Sequence, residues 1–296
     1  MGSVFTVYDT VLFAHWAIKE FKPSPNTDKD QSDEKLFKRE GELLSHLNHP
    51  GLPRFVDYFE ENGSSFIVME KVAGITLDNL LSSRTTPLDP HEAVPIILQI
   101  LHLIKYLHSQ NPPIVYRDLK PSNVMLSPSG RVRLIDFGIA RYYDPKNPKD
   151  TQELGTPGFC APEQYHGHSS IKSDIYSAAV TLFYMLTLKE PQVFNFSFPQ
   201  LTDFGIDKNL SRIVTACLEI DPAKRTGDID KLSNSLEETL RKIPIKKDGS
   251  TQSLQPALMA LKRHCLRVPD PGLPIIWNFW KSWLTAIYGP KKYRRR

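Results

Sequence analysis

The sequence predicts an α+β chain in two parts, a small, mostly β amino-terminal lobe and a larger, mostly α carboxy-terminal lobe. Three observations carry that expectation. Residues 3–21 alternate apolar and polar positions and are rich in Val, Phe, Tyr and Ile, the period-two pattern of half-buried strands. Beyond Gly74 the apolar residues fall instead at helical spacing. At 296 residues, with 40% apolar and 24% charged side chains, the chain can bury a substantial core as one large domain or two small ones.

In chain order, residues 3–21 read as two strands joined near Asp9-Thr10. A polar stretch (22–33) precedes a helix marked by Leu36, Phe37, Glu40, Leu43, Leu44 and Leu47 and stopped by Asn48-His49-Pro50-Gly51. Two further strands flank the turn Glu61-Asn62-Gly63 within 54–72. Asp89-Pro90-His91-Glu92 is a helix start, with an Asp cap, Pro in the first position and Glu three residues on. Val94, Ile97, Leu98, Leu101, Ile104 and Leu107 give that helix one apolar face, and Pro95 is expected to kink or shorten its first turns. Residues 177–188 are apolar on nearly every side, yet too short for a membrane span, which predicts a buried helix.

Charge divides the chain differently. Residues 241–296 hold 13 Lys and Arg against 2 Asp and Glu, whereas the first 240 hold 24 against 31. An acidic globule with a basic tail follows, with 242–256 reading as a linker. Cys160, Cys217 and Cys265 are widely spaced and odd in number, which fits free thiols in a reducing compartment and argues against a disulfide framework or zinc. His46 and His49 fit a surface helix end better than a metal site. The start has neither a basic region nor a continuous apolar run, so cytoplasmic residence is the expectation.

The chemistry concentrates in IVYRDLKPSNVML (114–126) and RLIDFGIAR (133–141). Asp118 and Asp136 would each sit at a strand end or tight loop, with Lys120 and Asn123 close by. Each acid alone reads as a turn cap. Together, Asp, Asn and Asp are hard oxygen donors suited to Mg²⁺, and a lysine beside them can neutralise a transferring phosphoryl group.

That conjunction resembles the protein kinase family, and the order of motifs is specific. Tyr116-Arg117-Asp118 matches the family's His-Arg-Asp, with Asn123 five residues on; Asp136-Phe137-Gly138 and Ala161-Pro162-Glu163 match Asp-Phe-Gly and Ala-Pro-Glu. Lys19 in Ala-Ile-Lys matches the third-strand lysine, and Glu40 its helix partner. Asp174 and Arg225 match two structural positions. The resemblance covers about residues 1–240 and implies the two-lobed protein kinase fold (small lobe 1–72, large lobe 73–240). It implies that Asp118 takes the substrate hydroxyl proton, that Asn123 and Asp136 hold Mg²⁺ on the phosphates of ATP, and that Lys19 contacts those phosphates, held by Glu40. Glu70 and Val72, after Met69, would present backbone groups to adenine, with Val4, Ala17 and Met125 on its faces. Glu163 and Arg225 would form a buried pair. Lys120 and Thr156 resemble the serine/threonine class, and the GTPGFCAPEQY stretch resembles bacterial members. Protein Ser and Thr hydroxyls are then the substrates. Arg117 implies regulation by a phosphate in the following loop, with Thr151 the expected acceptor and Thr156 part of the substrate platform. Tyr116 departs from the family's histidine; an aromatic with a hydroxyl is expected both to pack and to hydrogen-bond there.

Gly2 lies seventeen residues before Lys19, the family spacing of the last glycine in the glycine-rich loop, and Val4 stands where the loop valine belongs. The chain thus reads as lacking the first strand and first two glycines of that loop. A fragment or late start, and a catalytically impaired binding or scaffold module, both account for this; the intact set Lys19, Glu40, Asp118, Asn123 and Asp136 favours the former.

After a basic linker (241–272), residues 273–296 combine three tryptophans with the basic end KKYRRR. On a helix, Ile276, Phe279, Trp280, Trp283, Leu284 and Ile287 form a wide apolar face. A membrane surface, and a helix docked on the large lobe or on a partner, are the two leading expectations, a true span the third. No nucleic-acid recognition fold accompanies the basic run.

Overall fold

The computed structural model describes residues 3–23, 28–143, 155–192 and 196–244. Gly2, Thr151 and the 273–296 segment therefore lie outside the described residues. The chain divides between Ala73 and Gly74 into two compact units.

In the first unit, strands β1 (Ser3–Asp9), β2 (Ala14–Phe21), β3 (Phe55–Glu61) and β4 (Ser64–Glu70) form an antiparallel sheet in the order β1-β2-β4-β3, with helix α1 (Asp28–His46) following β2. The β1–β2 turn closes because the Asp9 carboxylate accepts the N–H groups of Val11 and Leu12, both at 2.9 Å. Asn62 and Gly63 both adopt positive φ (52° and 78°), the conformation a two-residue hairpin turn demands, so Asn-Gly sets the β3–β4 register. Helix α1 packs on one sheet face. Phe37 stacks on Phe21 at 5.7 Å, and Gly41 lets the helix approach Tyr58 and Ile67.

The second unit opens at Gly74, whose φ is 149° and where a Cβ would lie 2.2 Å from the Leu126 carbonyl oxygen; only glycine fits. Short strands β5 (Ile75–Thr76), β7 (Val124–Leu126) and β8 (Val132–Leu134) form one sheet, and β6 (Ile114–Val115) pairs with β9 (Arg141–Tyr142). Helices α2 (Leu77–Ser82), α3 (Pro90–His108), α4 (Ile171–Thr187), α5 (Lys208–Cys217) and α6 (Ile229–Lys242) supply the bulk. The expected start of α3 is present as a full capping box, Asp89 to His91 N–H and Glu92 back to Asp89 N–H. The shortening expected at Pro95 does not occur, since α3 runs continuously from Pro90 to His108. Proline at this position removes a single helix donor, and burying Ala93, Val94, Ile96, Ile97 and Ile100 outweighs that loss. Helix α4 is buried from Ser173 to Thr187, as its all-round apolar pattern predicts, and packs against α3 and α5. Among the described residues no helix is long and apolar enough to cross a membrane.

Candidate functional site

Each unit carries its own part of the predicted set. In the sheet of the first unit, Val4 pairs with Lys19 and Ala17 with Met69, which puts these four side chains on the face that α1 also takes. Lys19 Nζ donates to both carboxylate oxygens of Glu40 at 2.7 Å. Glu40 is 2% exposed, so α1 delivers a nearly buried carboxylate to the strand lysine. Val4 is exposed, Met69 buried and Ala17 half-buried. The Glu70 N–H is already taken by the Arg54 carbonyl at 2.9 Å, and Val72 is half-buried.

In the second unit, Asp118 lies in the loop after β6 and Asp136 just after β8, both at strand ends as the sequence indicates. Asp118 is the hub. Its Oδ2 accepts from Asn123 Nδ2 at 2.8 Å and lies 3.0 Å from Lys120 Nζ, while Oδ1 accepts the Thr156 hydroxyl at 2.5 Å. Lys120 Nζ donates to the same hydroxyl at 2.6 Å. Because Asn123 spends its amide nitrogen on the carboxylate and backbone carbonyl of Asp118, its Oδ1 is oriented as an oxygen donor. The Ile135 N–H bonds the Asn123 carbonyl at 3.1 Å, bringing the residue before Asp136 against Asn123, and Asp136 Oδ1 accepts the Gly138 N–H at 3.0 Å. Met125, on β7, is half-buried.

The loop that presents Asp118 is held in an uncommon shape. Arg117 has φ 73°, a left-handed conformation that costs free energy for any residue but glycine. Asp174, 0% exposed, holds it by accepting the N–H groups of Tyr116 (2.9 Å) and Arg117 (2.8 Å), and its Oδ2 also lies 2.8 Å from His108 Nε2. From the other side Gln164 donates to the Arg117 carbonyl at 2.9 Å. The Arg117 guanidinium is buried and donates to Ser169 Oγ and the Ile139 carbonyl. Nothing in the motif spacing singled out His108, Gln164 or Ser169, since each acts through a fold contact.

Tyr116 does half of what was expected. It packs edge-on against Phe137, ring centroids 5.2 Å apart, but among the described residues its buried hydroxyl has no partner in hydrogen-bond geometry. Burial, reinforced by the Asp136 and Asp118 charges, pushes the phenol well above its ordinary range, so it stays neutral.

Deeper in this unit Arg225 and Glu163 form a two-pronged pair at 2.7 and 3.1 Å, with Arg225 fully buried and Ser173 Oγ also donating to Glu163. The Arg225 guanidinium lies 4.9 Å from the Tyr176 ring centroid.

The protein kinase domain profile matches residues 1–236. The chain belongs to the protein kinase family. This kinase chain is 31% identical over 275 residues to a probable serine/threonine-protein kinase of Streptomyces coelicolor, covering 86% of itself and 40% of that protein. It is 28% identical to serine/threonine-protein kinase D of Synechocystis (81% and 50%) and 30% identical to a probable serine/threonine-protein kinase of Lactococcus lactis (87% and 44%). The kinase chain thus spans half or less of the length of these relatives.

Proposed function

We propose that this chain transfers the γ-phosphoryl group of ATP to Ser and Thr hydroxyls of protein substrates. The observation that carries the reading is the Asp118 hub, in which a carboxylate is held by Asn123, Lys120 and Thr156 on a loop whose backbone Asp174 and Gln164 brace. Asp118 orients the attacking hydroxyl and takes its proton as the new O–P bond forms and the bond to the ADP oxygen breaks. Lys120, 3.0 Å from Asp118, places positive charge where negative charge develops on the transferring group. Lys19, set by Glu40, serves the nucleotide phosphates. Val4, Ala17, Met69 and Met125 serve the adenine faces, and Glu70 and Val72 its edge. The oxygen donors of Asn123 and Asp136 fit Mg²⁺, a hard cation. When bound, it neutralises phosphate charge.

The relatives reported above are all named as kinases, which favours an enzyme over a binding module. The test is transfer of labelled phosphate from Mg-ATP to a protein substrate, followed by phosphoamino-acid analysis. Label on serine or threonine is expected, and Asp118→Asn should lower the rate by at least ~10²-fold, the scale for losing a positioned acid–base group. Transfer undiminished in that variant would remove Asp118 from its role.

A further inference from the structure

The sheet of the first unit has a second face. Its registers place Val7, Trp16, Ile18, Phe59, Phe66 and Val68 opposite the α1 side. Phe59 stacks on Phe66 at 4.9 Å, and Val7, Ile18, Phe66 and Val68 form one apolar cluster. Among the described elements, the helix that packs on this sheet is α1, and it takes the other face. Yet Val7, Ile18, Phe66 and Val68 are only 5, 1, 6 and 0% exposed. Neighbouring strands alone do not bury a sheet face that far; a second layer does. The face is also acidic at its margins. Alternation puts Glu20, Asp57, Glu61 and Glu70 on it, and no strand residue on this face is Lys or Arg.

We propose that residues 273–296 of this same chain dock on that face. The segment is its chemical complement, since it has no Asp or Glu, its apolar stretch Leu273–Tyr288 carries Trp277, Trp280 and Trp283, and its end Lys291–Arg296 is basic. The tryptophans cover the apolar cluster, and the basic end runs along the acidic margin, where opposite charges reinforce the choice of face. Reach is no obstacle. The 28 residues from 245 to 272 span up to about 90 Å when extended, against a radius of gyration of about 18 Å for a domain of this size.

The test uses the full chain carrying Trp16→Phe, so that emission reports only the three tail tryptophans. Docking predicts blue-shifted emission and acrylamide quenching severalfold weaker than for the free 273–296 peptide. Glu20→Lys with Glu61→Lys should raise that quenching and increase its salt sensitivity, while Glu34→Lys, in α1, should leave it unchanged. Quenching equal to that of the free peptide would overturn the proposal. So would strong protection indifferent to the double variant, which would place the tail elsewhere on the protein. A blue shift that appears only on adding phosphatidylserine vesicles would make the segment a membrane anchor instead and overturn it as well.

Discussion

Two ion pairs, one in each unit, separate a part built to act from a part built to hold. Lys19–Glu40 joins a strand to a helix through an ammonium on a flexible four-carbon stem, with the lysine 13% exposed and the glutamate 2%. Glu163–Arg225 joins the last residue of the Ala-Pro-Glu motif to the loop before α6 through a rigid guanidinium, 0% exposed. Arg225 also donates to the carbonyls of Lys172, Glu219 and Ile220. A fork with that many fixed acceptors has one geometry, whereas an ammonium can turn toward an arriving phosphate. The same charge chemistry can therefore serve two ends, according to the stiffness and burial of the cation.

The comparison breaks most sharply at Arg225. Arg225→Met strands the Glu163 carboxylate and several carbonyls, and should cost ~3–5 kcal/mol of unfolding free energy in urea titration. A loss under about 1 kcal/mol would mean the pair is not structural. Lys19→Met should show the reverse balance. Turnover should fall ~10²–10³-fold, the scale for losing one preorganised charge donor. Stability should fall only ~1–3 kcal/mol, because the Lys19 side chain is partly exposed where the Arg225 guanidinium is not. Equal stability losses in the two variants would erase the distinction drawn here.

Gln164 sharpens the question of what holds the Asp118 loop. It is 0% exposed, accepts from Ala161 N–H and donates to the Arg117 carbonyl. Gln164→Leu leaves both backbone groups buried without that partner, a cost of ~1–3 kcal/mol measurable by thermal melting. Activity should drop in parallel as Arg117 relaxes from its positive φ. The smallest effect is expected at Thr156→Val, which deletes the hydroxyl shared by Asp118 and Lys120 and nothing else of note. At the low end for one hydrogen bond to a charged group, ~1.5 kcal/mol, the looser Asp118 should slow the rate roughly tenfold and lower the melting temperature by only a few degrees.

Much of this was legible in the residues. Alternation over 3–21, the Asn62-Gly63 turn, the Asp89–Glu92 capping box and the all-apolar 177–188 run are local codes, each satisfied within a few residues, and each element stands where its code put it. Asp118, Asn123 and Asp136 were legible as a set because two short loops carry them at fixed spacing. His108, Gln164 and Ser169 were not, because a buried polar residue looks like any other until its partner is known, and these partners are 66, 47 and 52 residues away. Tyr116 was misjudged for the same reason. Its hydroxyl could be read from the sequence, but its burial outside hydrogen-bond geometry could not.

What the sequence determined by itself is thus the order and type of elements and the identity of the chemical groups, because short-range propensity and side-chain chemistry are properties of neighbours along the chain. The tertiary structure decided which groups are braced, buried or left without a partner: Asp174 and Gln164 straining Arg117 into place, Pro95 carried inside an unbroken α3, and an apolar sheet face buried opposite α1. Those outcomes depend on desolvation and on distances between residues far apart in sequence, and neither exists until the chain has folded.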